Sequence, residues 1–101
     1  QRRAAGHESE VMERRRLVVH GRVQGVGFRA SLAWEADKQG ISGWVRNRRD
    51  GTVEALFCGS DEAVAAMIAW ARRGPPGACV DRVEVELGSG EFSHFEQHPT
   101  A

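Results

Sequence analysis

The chain is 101 residues long, enough for one domain with a single two-layer core and no more. Its 14 basic and 14 acidic residues cancel, which argues against a dedicated DNA binder and leaves room only for a local basic patch. Two cysteines, Cys58 and Cys79, are too few for a disulfide framework and lack the paired spacing of a zinc site; no apolar run approaches the roughly 18 residues that span a bilayer.

Basicity rests on arginine, with Lys38 the only lysine, a bias that genomic base composition explains as well as function does. The polar N-terminus, Gln1 to Arg16, has no apolar centre of the kind a signal peptide carries, so a reducing, cytoplasmic setting is expected. Residues 1–15 are charged and non-periodic and are expected to form a flexible extension; the domain proper is expected over 16–97, with 98–101 as a tail. Met12 stands just before the first apolar run, so 1–11 read as a disordered extension or a remnant of processing.

Leu17-Val18-Val19 opens a β-branched run to Val23, the first predicted strand. Phe28 to Gln39 carries apolar residues at Phe28, Leu32, Ala33 and Ala36, a helical stripe that Gly40 is placed to end in a left-handed cap. Ile41 to Asn47 reads as a second strand. Arg48-Arg49-Asp50-Gly51 follows as a turn, and Asp-Gly between two strand patterns signals a hairpin. The third strand, Thr52 to Cys58, puts Val53, Ala55 and Phe57 on one side. Ser60 is a plausible N-cap with Asp61 and Glu62 behind it, and Val64, Met67, Ile68 and Ala71 form the stripe of a second helix. Arg72-Arg73-Gly74-Pro75-Pro76 stops that helix. Val83, Val85 and Leu87 alternate with Arg82, Glu84 and Glu86 in a fourth strand with one wet face, and Phe92 to Gln97 offers a short edge strand. The order β-α-β-β-α-β, with both helices on one side of an antiparallel-rich sheet, predicts an α+β fold, a ferredoxin-like two-layer α/β sandwich plus a short C-terminal edge strand.

One stretch stands out: Gly21-Arg22-Val23-Gln24-Gly25-Val26-Gly27-Phe28-Arg29, a strand, a glycine-rich turn and the first turn of a helix. Glycines permit backbone conformations and close approaches that a Cβ blocks. A helix N-terminus offers unpaired N–H groups and the positive end of a dipole, and Arg29 adds a forked permanent charge there. That combination suits a phosphate. The stretch lacks the Gly-Lys-Ser/Thr ending of a nucleotide-binding P-loop. Gly25-Val26-Gly27-Phe28-Arg29-Ala30 does satisfy the dinucleotide pattern G-x-G-x-x-G/A, but the chain has too few parallel strands for that fold. A plain tight turn remains the simpler alternative. Against it stands Gly43-Trp44-Val45-Arg46-Asn47: in this topology the first and second strands are parallel, so Asn47 ends at the same sheet edge as the loop. Asn presents donors and an acceptor without charge and can hold a water beside a phosphate, although Asn also caps hairpins.

These two blocks, with Asp50-Gly51-Thr52-Val53, resemble the acylphosphatase family over roughly Arg16 to Leu87. The resemblance implies hydrolysis of the carboxyl-phosphate bond of acyl phosphates by a positioned water, with no metal and no other cofactor. It further implies that Arg29 and Asn47 are catalytic and that Gln24, Gly25, Val26, Gly27, Phe28 and Arg29 bind phosphate. The implied partners are a small-molecule acyl phosphate and inorganic phosphate, as product and competitor, with no nucleic acid and no membrane; a monomer is expected. The alternatives are a non-catalytic anion-binding or interaction module of the same fold, and an RNA-binding domain, which would need aromatics on the open sheet face. Phe57, expected on the core face, does not supply one.

The remaining candidates have plain explanations. His7, His20, His94 and His98 show no metal spacing, Arg46, Arg48 and Arg49 are expected as a solvated hairpin that could also draw anions, and Trp34, Trp44 and Trp70 are expected to pack. Cys58 and Cys79 should lie at opposite ends of parallel strands, too far apart for a disulfide.

Overall fold

The computed structural model describes residues 12–101; the expectation for 1–11 lies outside the described residues. The elements run β1 (Glu13–Arg22), α1 (Phe28–Gln39), β2 (Ser42–Asn47), β3 (Val53–Gly59), α2 (Asp61–Arg73), β4 (Cys79–Leu87) and β5 (Phe95–Gln97). They form one five-stranded sheet in the order β4-β1-β3-β2-β5. β1 pairs antiparallel with β3 and β4, and β3 antiparallel with β2, so β1 and β2 are parallel as expected. β5 joins β2 in parallel at the far edge. Both helices and one sheet face close a single core built around Leu17, Val19, Phe28, Leu32, Phe57 and Met67. This is the ferredoxin-like sandwich that the patterning implied.

The local signals act as their chemistry dictates. α1 ends on Gly40 with φ 75°, and α2 begins on Ser60, whose hydroxyl accepts from the Ala63 amide at 3.2 Å. In the β2–β3 hairpin, Asp50 Oδ1 accepts from the Thr52 hydroxyl at 2.6 Å and the Thr52 amide at 3.0 Å. Those two bonds hold the Asp50 carboxyl below the usual carboxylate range.

Several expectations are corrected. β1 starts at Glu13 rather than Leu17, because backbone pairing of Glu13, Arg14 and Arg15 with Gly59, Cys58 and Phe57 does not depend on apolar side chains. Residues 13–15 therefore belong to the sheet and not to an extension. β3 is buried on both faces: Glu54 is 3% exposed although it lies on the helix-free side. Trp34 does not pack; it is 65% exposed, because it lies roughly 200° around α1 from the buried stripe at Phe28, Leu32 and Ala36. Lys38 lies over its ring at 4.6 Å. The other two tryptophans do pack, Trp70 edge-on to Phe28 and Trp44 stacked on His98. In β4 the alternation is in phase but burial fades along the strand, leaving Val85 and Leu87 exposed at the outer edge of the sheet. Cys58 and Cys79 face Arg14 and Arg22, at opposite ends of β1, and both are free thiols.

Candidate active site

Because β1 and β2 are parallel, their C-terminal ends meet at one sheet edge, and the glycine-rich loop arches there from β1 to α1. Gly25 and Gly27 adopt φ 76° and 77°, in the left-handed region. A Cβ added at either would meet no atom within 4 Å, so these glycines are required for their backbone angles and not for clearance from the protein.

The two helix N-termini differ in a telling way. α2 has its Ser60 cap and Asp61 and Glu62 in the first turn. α1 has Gly27 at its N-cap, no side-chain cap and no acidic residue in the first turn. Its leading amides and dipole are left uncompensated, with Arg29 in the same turn adding to the positive field. Among the described residues Arg29 makes no ion pair.

A cleft of about 160 Å³ opens at this point, lined by Val23, Gln24, Gly25, Gly27, Phe28, Arg29, Ala30, Asn47 and Gln97. Arg29 and Asn47, 18 positions apart in the chain, thus share one small cavity with the loop. Of the expected phosphate-binding residues, Val26 is the exception; its side chain turns inward and packs against the core. Hairpin capping falls to Asp50, and among the described residues no hydrogen bond engages the Asn47 side-chain amide. A larger groove of about 420 Å³, between Trp34, Trp70 and Pro75, meets the cleft only at Ala30 and contains no cation; its charged member is Glu35. The features that suit an anion, the uncapped helix start and Arg29, lie at the smaller cleft.

A profile of the acylphosphatase family matches residues 15–97. The chain belongs to the acylphosphatase family. Enzymes of this family hydrolyse acyl phosphates. An acylphosphatase of Thiobacillus denitrificans is 57% identical over 81 residues, which cover 80% of this chain and 91% of that protein. A solved acylphosphatase structure from Coxiella burnetii superposes with a TM-score of 0.83 at 33% identity, covering 86% of this chain and 93% of that one. The same fold recurs in a full-length HypF structure, bound to phosphate and nucleotide, with a TM-score of 0.81 at 26% identity; the match covers 89% of this chain but 12% of HypF.

Three features of this acylphosphatase-family site were not read from the sequence. Gln97 lines the cleft because β5 pairs in parallel with β2, in a register that sets Val45 against Gln97; a three-residue strand carries no pattern that fixes such a register. Residues 98–101, expected as a tail, continue along β2: the His98 amide donates to the Val45 carbonyl at 2.8 Å and the Ala101 amide to the Asn47 carbonyl at 3.0 Å. Gln24 turns its side-chain nitrogen towards the hairpin, donating to the carbonyls of Arg48 at 2.7 Å and Thr52 at 2.8 Å.

The hairpin arginines divide. Arg46 is committed to Glu54 at 2.8 Å and lies over the Trp44 ring, on the helix-free face. Arg48 is 3.6 Å from Asp50, and Arg49 is exposed. His94 and His98 make local contacts on the surface: both bond Glu96, at 2.6 and 2.9 Å, and hold its carboxyl below the usual range.

Proposed function

We propose that this cleft hydrolyses acyl phosphates with the loop and Arg29 as the phosphate grip and Asn47 as the holder of the attacking water. The observation that carries the reading is the shared cavity: an uncompensated helix N-terminus, a guanidinium and an uncharged amide converge on a space of phosphate size. Phosphoryl transfer asks the protein mainly for positioning and charge stabilisation. The amides of the loop and the fork of Arg29 hold the equatorial phosphate oxygens. Asn47 orients a water in line with the phosphorus–oxygen bond that breaks. As the new bond to water oxygen forms, the carboxylate leaves with the electron pair. The water's proton passes to a phosphate oxygen, giving a carboxylate and dihydrogen phosphate. A carboxylate is already a good leaving group, so neither a general acid nor a metal ion is needed.

The same reading makes the protein a cytoplasmic monomer acting on small molecules, with inorganic phosphate as competitor. Two free thiols suit a reducing compartment, and none of the helices among the described residues is long and apolar enough to cross a membrane. Phe57 lies in the core, so the helix-free face lacks the central aromatic of a single-stranded RNA reader.

The test is turnover of acetyl phosphate with and without chelator, alongside inhibition by inorganic phosphate. Arg29→Ala should abolish both turnover and phosphate inhibition. Asn47→Ala should lower kcat by roughly 10²-fold or more while phosphate inhibits as before, because the amide acts on the water. Full activity in Asn47→Ala would overturn its role, and activity lost to chelation would overturn the metal-free mechanism. The second reading is a binding module without turnover; what favours it is that the same fold forms a small part, 12%, of HypF, a much longer protein. Phosphate binding without hydrolysis in the unmodified protein would select that reading.

A further inference from the structure

Gln24 lies in the phosphate loop and lines the cleft, yet its side-chain nitrogen is engaged by the β2–β3 hairpin. Its amide end lies 2.7 Å from the Arg48 carbonyl and 2.8 Å from the Thr52 carbonyl. Both partners only accept, so the nitrogen end with its two hydrogens must be the one that faces them. The two carbonyls belong to residues paired across the mouth of the hairpin, where the Arg48 amide donates to Thr52 at 2.9 Å. One step further along the ladder is the pair Asn47 and Val53. A single side chain therefore bridges the loop that would hold phosphate and the strand end that would hold water.

We propose that Gln24 is a positioning residue, whose amide clasps the Arg48 and Thr52 carbonyls and thereby sets the distance between the phosphate loop and Asn47. The proposal rests on the acyl-phosphate reading of the cleft and adds a part that reading does not contain. β1 and β2 are not neighbours in the sheet, since β3 lies between them. The sheet thus leaves the loop after β1 and the end of β2 coupled only through an intervening strand. Both Gln24 bonds close that gap directly. In-line attack tolerates little error, since a misplacement of about 1 Å can cost on the order of 10²-fold in rate. A clasp on the hairpin corrects that error without touching substrate.

The experiment is a cycle of Gln24→Met, which keeps length and removes both donors, with Asn47→Ala. With acetyl phosphate as substrate, Gln24→Met should lower kcat roughly tenfold or more. The inhibition constant for inorganic phosphate should change less than about threefold, because the loop amides and Arg29 remain. In the Asn47→Ala background the same substitution should add less than about a twofold loss, as expected when one residue acts through the other. Equal losses in both backgrounds, or phosphate inhibition weakening in step with kcat, would overturn the proposal. A second readout needs no turnover: amide hydrogen exchange at Arg48 should accelerate in Gln24→Met while exchange in the middle of β3 is unchanged. Unaltered exchange at Arg48 would count against the clasp. Should the methionine variant not fold, Gln24→Asn keeps the amide one methylene short of its partners, and the same signature is expected. An unmodified protein without turnover would refute the hydrolase reading, and the exchange arm would still decide the clasp.

Discussion

In the proposed phosphate grip, Arg29 acts through the shape of its charge as well as through its sign. Its guanidinium can give two parallel hydrogen bonds to one phosphate, whereas a lysine offers a compact point charge. Arg29→Lys should therefore fall between wild type and Arg29→Ala, with phosphate inhibition weakened by about tenfold, or ~1.4 kcal/mol. Gly27 is needed for a different reason. With φ 77° and open space where a Cβ would go, Gly27→Ala pays no steric clash but about 1–2 kcal/mol for the left-handed conformation. Urea unfolding should show that loss in a protein that still folds. At this scale the sequence was a good guide to where Arg29 and Asn47 lie, because a strand-turn-helix pattern and a hairpin at parallel strand ends bring them to one cleft. It was silent on the direction of the Gln24 and Val26 side chains. Those depend on which carbonyls and which core gap lie opposite, and neighbours in the chain do not encode that.

Among the elements, β3 shows the sharpest conflict between patterning and burial. Glu54 lies on the face without helices and is buried all the same, because Arg16 and Arg46 reach over it from β1 and β2, at 2.6 and 2.8 Å. Burial by itself pushes this carboxyl up, but hydrogen bonds and charge from both arginines outweigh it and leave it below its ordinary value. A depressed carboxyl contributes stability that is complete above the ordinary value of about 4.5 and is lost as pH falls through the depressed one. Glu54→Gln should destabilise the fold near neutrality by roughly 1–3 kcal/mol, less than a fully buried pair, since both arginines are about a third exposed. The gap between variant and wild type in urea melts should narrow as pH falls through that depressed value, below the ordinary 4.5. The second helix offers a control: Ser60→Ala should cost about 1 kcal/mol with kcat unchanged, as its cap lies away from the cleft. Both helices were legible to within a residue because caps and stripes are local. The starts of β1 and β5 were not, because strand ends are set by partner backbones.

For the whole molecule, balanced charge and an open sheet edge act together. Formal charge is zero at neutral pH, so molecules repel one another weakly. β4 meanwhile presents an edge whose outer end carries Leu87, 78% exposed, and Val85. Arg82, Glu84 and Glu86 blunt that edge with charge, a common defence against edge-to-edge pairing. Leu87→Lys should lower light scattering in concentrated solutions near pH 7 and leave acetyl phosphate turnover untouched. The overall architecture was readable because every level agreed: two helical stripes, a hairpin and alternating strands admit few topologies. Burial at the sheet edge was not, since alternation marks the face a residue occupies and not whether anything covers that face.

With phosphate held at the uncapped start of α1, as proposed, the protein's heat resistance becomes a property of its buffer. A ligand that binds only the folded chain raises its stability by RT ln(1 + [L]/Kd), about 2.7 kcal/mol at a hundredfold excess over Kd. Melting temperature should therefore climb with inorganic phosphate at constant ionic strength, and chloride at the same strength should not reproduce the climb. In Arg29→Ala the curve should be flat. A pair of calorimetric scans in two buffers would then reveal occupancy of the cleft before any substrate is added.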